Sequence, residues 1–252
     1  MLVRQLSKMF GNKHVVKNVD VTISKGKFTA FIGPNGAGKS TVLSMMSRLI
    51  EKDTGEVLID QQEITDWNQT DLAKKIAILR QSNMINLKLT VRELVAFGRF
   101  PYSKGRLTDQ DYELVNQAIA QLGLEELADR YIDTLSGGQL QRAFIAMVFA
   151  QDTEYILLDE PLNNLDMNYA VQMMKVLRDL VDHHGKTVIM VLHDINFAAS
   201  YADEIIAMKD GQIYLHDTTD NVIQKDVLDE LYNMNIRVCE LEGKRFCLYF
   251  NE

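Results

Sequence analysis

Apolar residues recur along this chain with two periods, about 2 and about 3.6, and the switches between them mark its elements. Leu2 to Ser7 reads as a strand closed by a turn at Gly11-Asn12, and Val19, Val21 and Ile23 then alternate with polar residues. A small antiparallel sheet is predicted before Gly33. Phe28 to Ile32 is a short apolar and β-branched run, and from Val42 to Ile50 the apolar residues recur at helical spacing. Asp53-Thr54-Gly55 is a turn signal, Glu56 to Asp60 a short strand, Asn68 to Lys75 a brief helix and Ile76 to Leu79 another strand. From Thr90 to about Ala128 the pattern becomes helical, as Thr90 to Phe97 and then Thr108 to Leu122, with Tyr112, Val115, Ile119 and Leu122 on one face. Thr108 followed by Asp111 approximates a capping box with Asp in place of Glu or Gln. Between these helices, Gly98 to Gly105 reads as a solvated turn exposing aromatic and basic side chains.

Leu135-Ser136-Gly137-Gly138-Gln139 opens a helix on which Leu140, Phe144 and Met147 share a face with Ala143 and Ala150. Ile156-Leu157-Leu158 is wholly apolar and ends in Asp159-Glu160; Thr187 to Leu192 ends in His193-Asp194. Runs without alternation predict strands buried on both faces. Met167 to His184 is a long helix between them. Glu204 to Met208 and Gln212 to Leu215 form a hairpin about Asp210-Gly211. Helical turns follow from Asp220 to Tyr232, and alternation through Ile236, Val238, Phe246, Leu248 and Phe250 about Glu242-Gly243 predicts a terminal hairpin. A three-residue turn there would set Cys239 opposite Cys247.

Chemistry concentrates at strand ends. Gly33-Pro34-Asn35-Gly36-Ala37-Gly38-Lys39-Ser40-Thr41 fits G-x-x-x-x-G-K-[ST] between a strand and a helix, the context in which backbone N–H groups converge on phosphate oxygens. Lys39 adds a full charge, and the Ser40 hydroxyl is placed to ligate Mg²⁺ on a nucleotide. Two glycines after Ser136 expose a second set of helix N-terminal donors. Asp159 is suited to hold Mg²⁺ and Glu160 to take a proton from an attacking water. His193 leaves a parallel-type strand at the same sheet edge, and Gln81 follows the strand end at Leu79, where ligands meet open α/β sheets. Phe10 offers a ring for stacking on a base, although core packing is the commoner role of such a residue.

The chain has 252 residues, 46% of them hydrophobic, enough for one large domain with an inserted subdomain, and disorder is excluded. Lys and Arg total 27 against 35 Asp and Glu, so the net charge of -8 gives no drive toward nucleic acid. The two cysteines have no metal-ligand spacing and read as reduced thiols. The longest apolar run, about Ala143 to Ala150, is too short to span a bilayer, so the chain alone is expected to be soluble.

Gly33 to Thr41, Gln81, Leu135 to Gln139, Ile156 to Glu160, Asn164-Leu165-Asp166 and His193 stand in the order found in ATP-binding subunits of ABC transporters. The chain resembles that family over its whole length. The resemblance implies an α/β fold of the P-loop NTPase class: an ABC ATPase core with an N-terminal antiparallel β-subdomain and an α-helical subdomain inserted at about 88–150. The whole of 1–252 forms one domain, with a C-terminal hairpin at about 235–251. It implies ATP and Mg²⁺ as ligands. Phe10 matches the adenine-stacking aromatic, Gly33 to Thr41 the phosphate loop, Gln81 the Q-loop glutamine near the metal, Asp159 the magnesium aspartate and Glu160 the general base. Asp166 matches the D-loop aspartate and His193 the switch histidine, while Ser136, Gly137, Gly138 and Gln139 match the signature that meets ATP held by a second subunit in a head-to-tail dimer.

Pro161-Leu162-Asn163-Asn164-Leu165-Asp166 departs from the commoner P-T-S-A-L-D and P-T-N-H-L-D forms by placing Leu162 where a hydroxyl residue is usual. The segment from Thr90 to Tyr102 is similar to T-V-x-E-L-V-x-x-G-R-x-P-[YHF] of iron-siderophore, haem and cobalamin importers. That implies peripheral placement at the cytoplasmic face of the cell membrane, a permease contacting the helical subdomain and Q-loop, an extracytoplasmic binding protein acting indirectly, and no nucleic acid partner. Iron-siderophore import is the favoured function; a haem, cobalamin or other metal importer, an exporter, and a soluble ATPase of iron-sulfur cluster assembly are the alternatives.

Overall fold

A computed structural model describes residues 1–80 and 87–249. In chain order its strands and helices begin β1 (Leu2–Phe10), β2 (Lys13–Thr22), β3 (Phe28–Ile32), α1 (Lys39–Met46), β4 (Thr54–Ile59), β5 (Gln62–Glu63), α2 (Gln69–Lys75) and β6 (Ile76–Leu79). There follow α3 (Val91–Ala96), α4 (Phe100–Ser103), α5 (Asp109–Gln121), α6 (Gly137–Ala150), β7 (Tyr155–Asp159), α7 (Met167–Asp182) and β8 (Thr187–Val191). The last are α8 (Ile195–Tyr201), β9 (Glu204–Lys209), β10 (Gln212–Thr218), α9 (Thr219–Val222), α10 (Lys225–Tyr232), β11 (Arg237–Leu241) and β12 (Lys244–Leu248). They group into two compact units, one of Met1–Trp67 with Thr187–Glu252 and one of Asn68–Lys186.

In the first unit, β2, β1, β4 and β5 form the expected antiparallel sheet, with Val3 opposite Val21 on one side and Val57 on the other. Thr54 and Gly55 belong to β4, where a turn was expected. A Cβ on Gly55 would stand 2.4 Å from the Gln5 carbonyl oxygen, so glycine is required by the close approach of β1 and not by chain reversal. The apolar run predicted to be helical to Ile50 stops at Met46. The Ser47 hydroxyl donates to Leu43 O at 3.0 Å, Arg48 turns left-handed (φ 58°), and its guanidinium donates to the carbonyls of Ile64 and Trp67.

β3 lies between β8 and β9, parallel to both, and all five of its residues are buried. Burial on both faces is why its sequence lacks alternation. The β9–β10 hairpin turns at Asp210 (φ 51°) and Gly211 (φ 84°), the type I′ pair. The terminal hairpin turns on two residues, Glu242 and Gly243, where three were considered. Cys239 therefore faces Phe246, and Cys247 faces Val238. Both are free thiols, and burial pushes Cys247 up to about 11, leaving it unreactive at neutral pH.

In the second unit β6 and β7 pair in parallel, Leu79 opposite Leu158. Helix starts follow their sequence signals: Asn68 caps α2, and capping boxes at Thr90/Glu93 and Thr108/Asp111 open α3 and α5. Gly98 to Gly105 is not a solvated turn: a 3₁₀ turn at Phe97–Arg99 leads into α4, and Arg99 is buried. A Cβ on Gly98 would lie 2.2 Å from the Met147 carbonyl oxygen, so the turn presses against α6. Arg99 donates to Asp111 at 2.8 Å and to the Ala150 and Gln151 carbonyls at 3.0 and 3.2 Å, capping the end of α6. Its guanidinium stacks 4.0 Å above the Tyr102 ring. The inner face of α5 is correspondingly Asp111, Val115, Ala118 and Ile119, while Tyr112 is exposed.

The Thr108 amide, and then Arg99, hold the Asp111 carboxyl below its usual range. A depressed folded value contributes stability that is complete above the unfolded value of about 3.9 and is lost as pH falls through the folded value. Arg99→Lys keeps the charge but cannot serve the carboxylate and two carbonyls together. It should cost about 1.5–3 kcal/mol in urea unfolding at pH 7. The deficit should shrink only once the pH falls under the ordinary carboxylate value of about 3.9 and toward the lower one at which the folded Asp111 carboxyl protonates.

Candidate functional site

Register determines what leaves the carboxyl edge of the first unit's parallel strands. Phe31 is opposite Val191, and Leu192 N donates to Phe31 O at 3.0 Å, so Gly33 and His193 emerge from adjacent strands at the same end. The glycines between β3 and α1 are there for conformation and clearance. Gly33 (φ 137°) would carry a Cβ 2.1 Å from Met208 O, and Gly38 (φ 99°) one 2.8 Å from Val15 O; Gly36 (φ 79°) faces open space. Gly38 is the N-cap of α1 and supplies no side chain to it. With no side-chain cap at its start, the N-terminus of α1 favours an anion, as does the helix dipole. Lys39 is buried and folds back on its own loop, donating to Gly33 O at 2.7 Å and Pro34 O at 3.0 Å. Carbonyl oxygens stand where phosphate oxygens would compete for the ammonium. Pro34, Ser40 and Thr41 are half-buried, Ala37 is buried, and Asn35 and His193 are exposed. Phe10, at the end of β1, is 52% exposed, which removes the core role, and the Lys8 ammonium lies 5.6 Å from its ring centroid.

In the second unit Asp159 closes the buried strand β7, and Glu160 follows in left-handed backbone (φ 50°). Both residues are buried, so this strand end is not a solvated acidic one. Asn163 Nδ2 donates to Glu160 Oε2 at 2.9 Å. Sequence reasoning marked Leu162 in this segment and passed over Asn163, whose amide four residues beyond the strand was the available signal. Asn164 (φ 68°) turns the chain toward Asp166, which caps α7 by accepting from Tyr169 N at 3.0 Å.

Ser136 and Gln139 form a reciprocal capping box on α6: Ser136 N donates to Gln139 Oε1 at 2.9 Å and Gln139 N to Ser136 Oγ at 3.3 Å. Capping therefore accounts for the glutamine as well as the serine. A Cβ on Gly138 would meet Asn164 O at 2.9 Å, whereas one on Gly137 would meet nothing within 4 Å. No packing among the described residues demands Gly137. Gln81 lies outside the described residues. The exposed rings of Phe97 and Phe100, with Leu89, Ala96 and Leu107, line an apolar groove of about 250 Å³.

A glycine loop feeding an uncapped helix after a buried parallel strand, in a chain that also carries buried carboxylates at a parallel strand end, defines the class of phosphate-loop nucleotide hydrolases. Residues 16–163 match the family model described as ABC transporter. The chain is 55% identical, over 99% of its length and 99% of the relative's, to the petrobactin import ATP-binding protein YclP of Bacillus subtilis (strain 168). It is 38% identical to the ferric enterobactin transport ATP-binding protein FepC of Escherichia coli (strain K12), over 94% of this chain and 88% of that one. Among solved structures, the ATP-binding cassette MJ0796, in its dimeric post-hydrolysis state bound to ADP and Pi, superposes with TM-score 0.78 at 32% identity, covering 86% of this chain and 98% of that one. The chain belongs to the ABC transporter family, and it is an ATP-binding and ATP-hydrolysing member of it. Among the described residues no helix is long and apolar enough to cross a membrane.

Proposed function

We propose that this chain is the ATP-hydrolysing subunit of an importer for iron-siderophore complexes, working at the cytoplasmic face of the membrane. The observation that carries the reading is the near full-length likeness to a protein named for petrobactin import, and the importer-like segment from Thr90 to Tyr102 supports it. In this reading the amides of Gly36 to Thr41 and the Lys39 ammonium hold the phosphates, and Phe10 stacks on the adenine. Ser40 and Asp159 present a hydroxyl and a carboxylate, hard oxygen donors that suit Mg²⁺. The ion, when bound, neutralises charge on the phosphate oxygens. Gln81 helps at the metal, Glu160 takes the proton of the attacking water, and His193 answers to the γ-phosphate.

A second copy closes head to tail, its Ser136 to Gln139 meeting the ATP held by the first; the open space above Gly137 suits that approach. Asp166 carries the state of one site to the other. The apolar groove beside Phe97 and Phe100 receives a helix of the permease, and the extracytoplasmic binding protein acts only through that permease. The helices from 88 to 150 then serve as the permease-facing subdomain. In membranes carrying the cognate permease, ATP-dependent uptake of ferric petrobactin should require this chain, and the permease should co-purify with it in detergent. Equal uptake with and without the chain would overturn the siderophore reading.

A further inference from the structure

The matched family segment ends at residue 163, yet the chain continues through α9, α10 and the β11–β12 hairpin. That C-terminal stretch grips the nucleotide-binding elements of its own unit at two places. Tyr232, the last residue of α10, accepts a hydrogen bond at 3.0 Å from the amide of Gly33 across 199 positions of sequence. At the other place Asn196, in the first turn of α8 and three residues after His193, exchanges both backbone hydrogen bonds with Cys247 of β12. Cys247 N donates to Asn196 Oδ1 at 2.7 Å, and Asn196 Nδ2 donates to Cys247 O at 3.3 Å.

The first contact falls where the loop has least freedom. The Gly33 carbonyl accepts from Lys39 Nζ at 2.7 Å, so the same residue is held through its carbonyl by the loop lysine and through its amide by Tyr232. Nothing larger than glycine fits there, because of the Met208 carbonyl. α10 is itself anchored: Leu228 and Leu231 are fully buried, Lys209 Nζ donates to Glu230 O, and Asp229 accepts from Ile236 N at 2.6 Å, tying the helix end to the hairpin that follows. Burial also raises the Tyr232 hydroxyl well above the ordinary tyrosine range, so it stays neutral at any physiological pH.

We infer that the C-terminal segment from Lys225 to Leu248 is a positioning element for the phosphate loop, and that Tyr232 acts through Gly33 to preset the loop for phosphate. This rests on the reading of Gly33 to Thr41 as the ATP site. A buried amide stripped of its acceptor drives its peptide to rotate toward another partner. A loop that has relaxed in this way must be reordered when nucleotide binds, and that ordering is drawn from the affinity.

The test is Tyr232→Phe, which keeps the ring and removes only the oxygen. ATP affinity by calorimetry should fall about three- to tenfold, the worth of one such hydrogen bond. KM for ATP should rise by a similar factor with kcat changing much less, and the Gly33 amide of the nucleotide-free protein should exchange with solvent faster by the same order. Tyr232→Ala, which also removes the ring, should show the same exchange effect together with a lower Tm. Wild-type affinity and wild-type Gly33 exchange in Tyr232→Phe would overturn the inference, as would a uniform loss in which Tm and kcat fall together with affinity. Lys39→Ala and the unaltered protein run in the same titrations: if the unaltered protein fails to bind ATP, the nucleotide site itself is wrong. If it binds and Tyr232→Phe matches it, only the role of Tyr232 falls.

Discussion

Glu160→Gln should bind ATP as the unaltered protein does and hydrolyse it about 10²–10⁴-fold more slowly, the usual contribution of a positioned general base. The substitution is nearly isosteric, and the bond from Asn163 tolerates it. Glu160 Oε2 accepts from Asn163 Nδ2, and the amide oxygen of glutamine accepts the same bond once the group is oriented to it. The left-handed backbone at Glu160 is retained, since glutamine is no more strained there than glutamate. A loss of turnover with unchanged unfolding therefore reports the carboxylate and not the fold. With hydrolysis blocked, the ATP-bound form should accumulate as a closed dimer visible by light scattering, while ADP leaves monomers. Turnover at the unaltered rate would remove Glu160 from the role of base.

Lys39→Ala should weaken ATP binding on the order of 10²–10³-fold. An ammonium about 4 Å from a phosphate charge at an effective dielectric near 20 gains roughly 4 kcal/mol, and each 1.4 kcal/mol is about a factor of ten. In the nucleotide-free protein the same ammonium is already held by the carbonyls of Gly33 and Pro34, so binding exchanges those bonds for phosphate and the net effect lies toward the lower end. Thermal unfolding gives an independent readout. ATP at about one hundred times the unaltered Kd stabilises by about 2.7 kcal/mol, a shift the variant should lack almost entirely. Unaltered affinity in calorimetry would undo the phosphate-loop assignment.

Both outcomes concern residues legible from local sequence, and the reason is geometric. The glycine loop, the two apolar runs and the capping signals at Thr108 and Ser136 each act within a few residues, so their letters carry their conformation. Sequence reasoning failed where a local pattern was overridden from a distance. Arg99 looked like a solvated turn residue, yet it is buried because Asp111 and the end of α6 supply a carboxylate and two carbonyls. Tyr112 matched the helical period of α5, but Asp111 took the inner position once Arg99 was there to pair with it. Gly55 resembled turn punctuation and proved to be a clearance for β1.

What the sequence determined by itself is therefore the family, the order of the elements and which polar and charged residues stand at the strand ends, because these rest on spacing within short segments. Tertiary structure alone decided which distant groups hold those segments in place: Arg99 on the end of α6, and above all Tyr232 on Gly33, 199 residues apart. A hydrogen bond across that separation leaves no periodicity or composition to read. It exists only because the parallel register of β3, β8 and β9, together with the packing of α10, brings one hydroxyl to one amide.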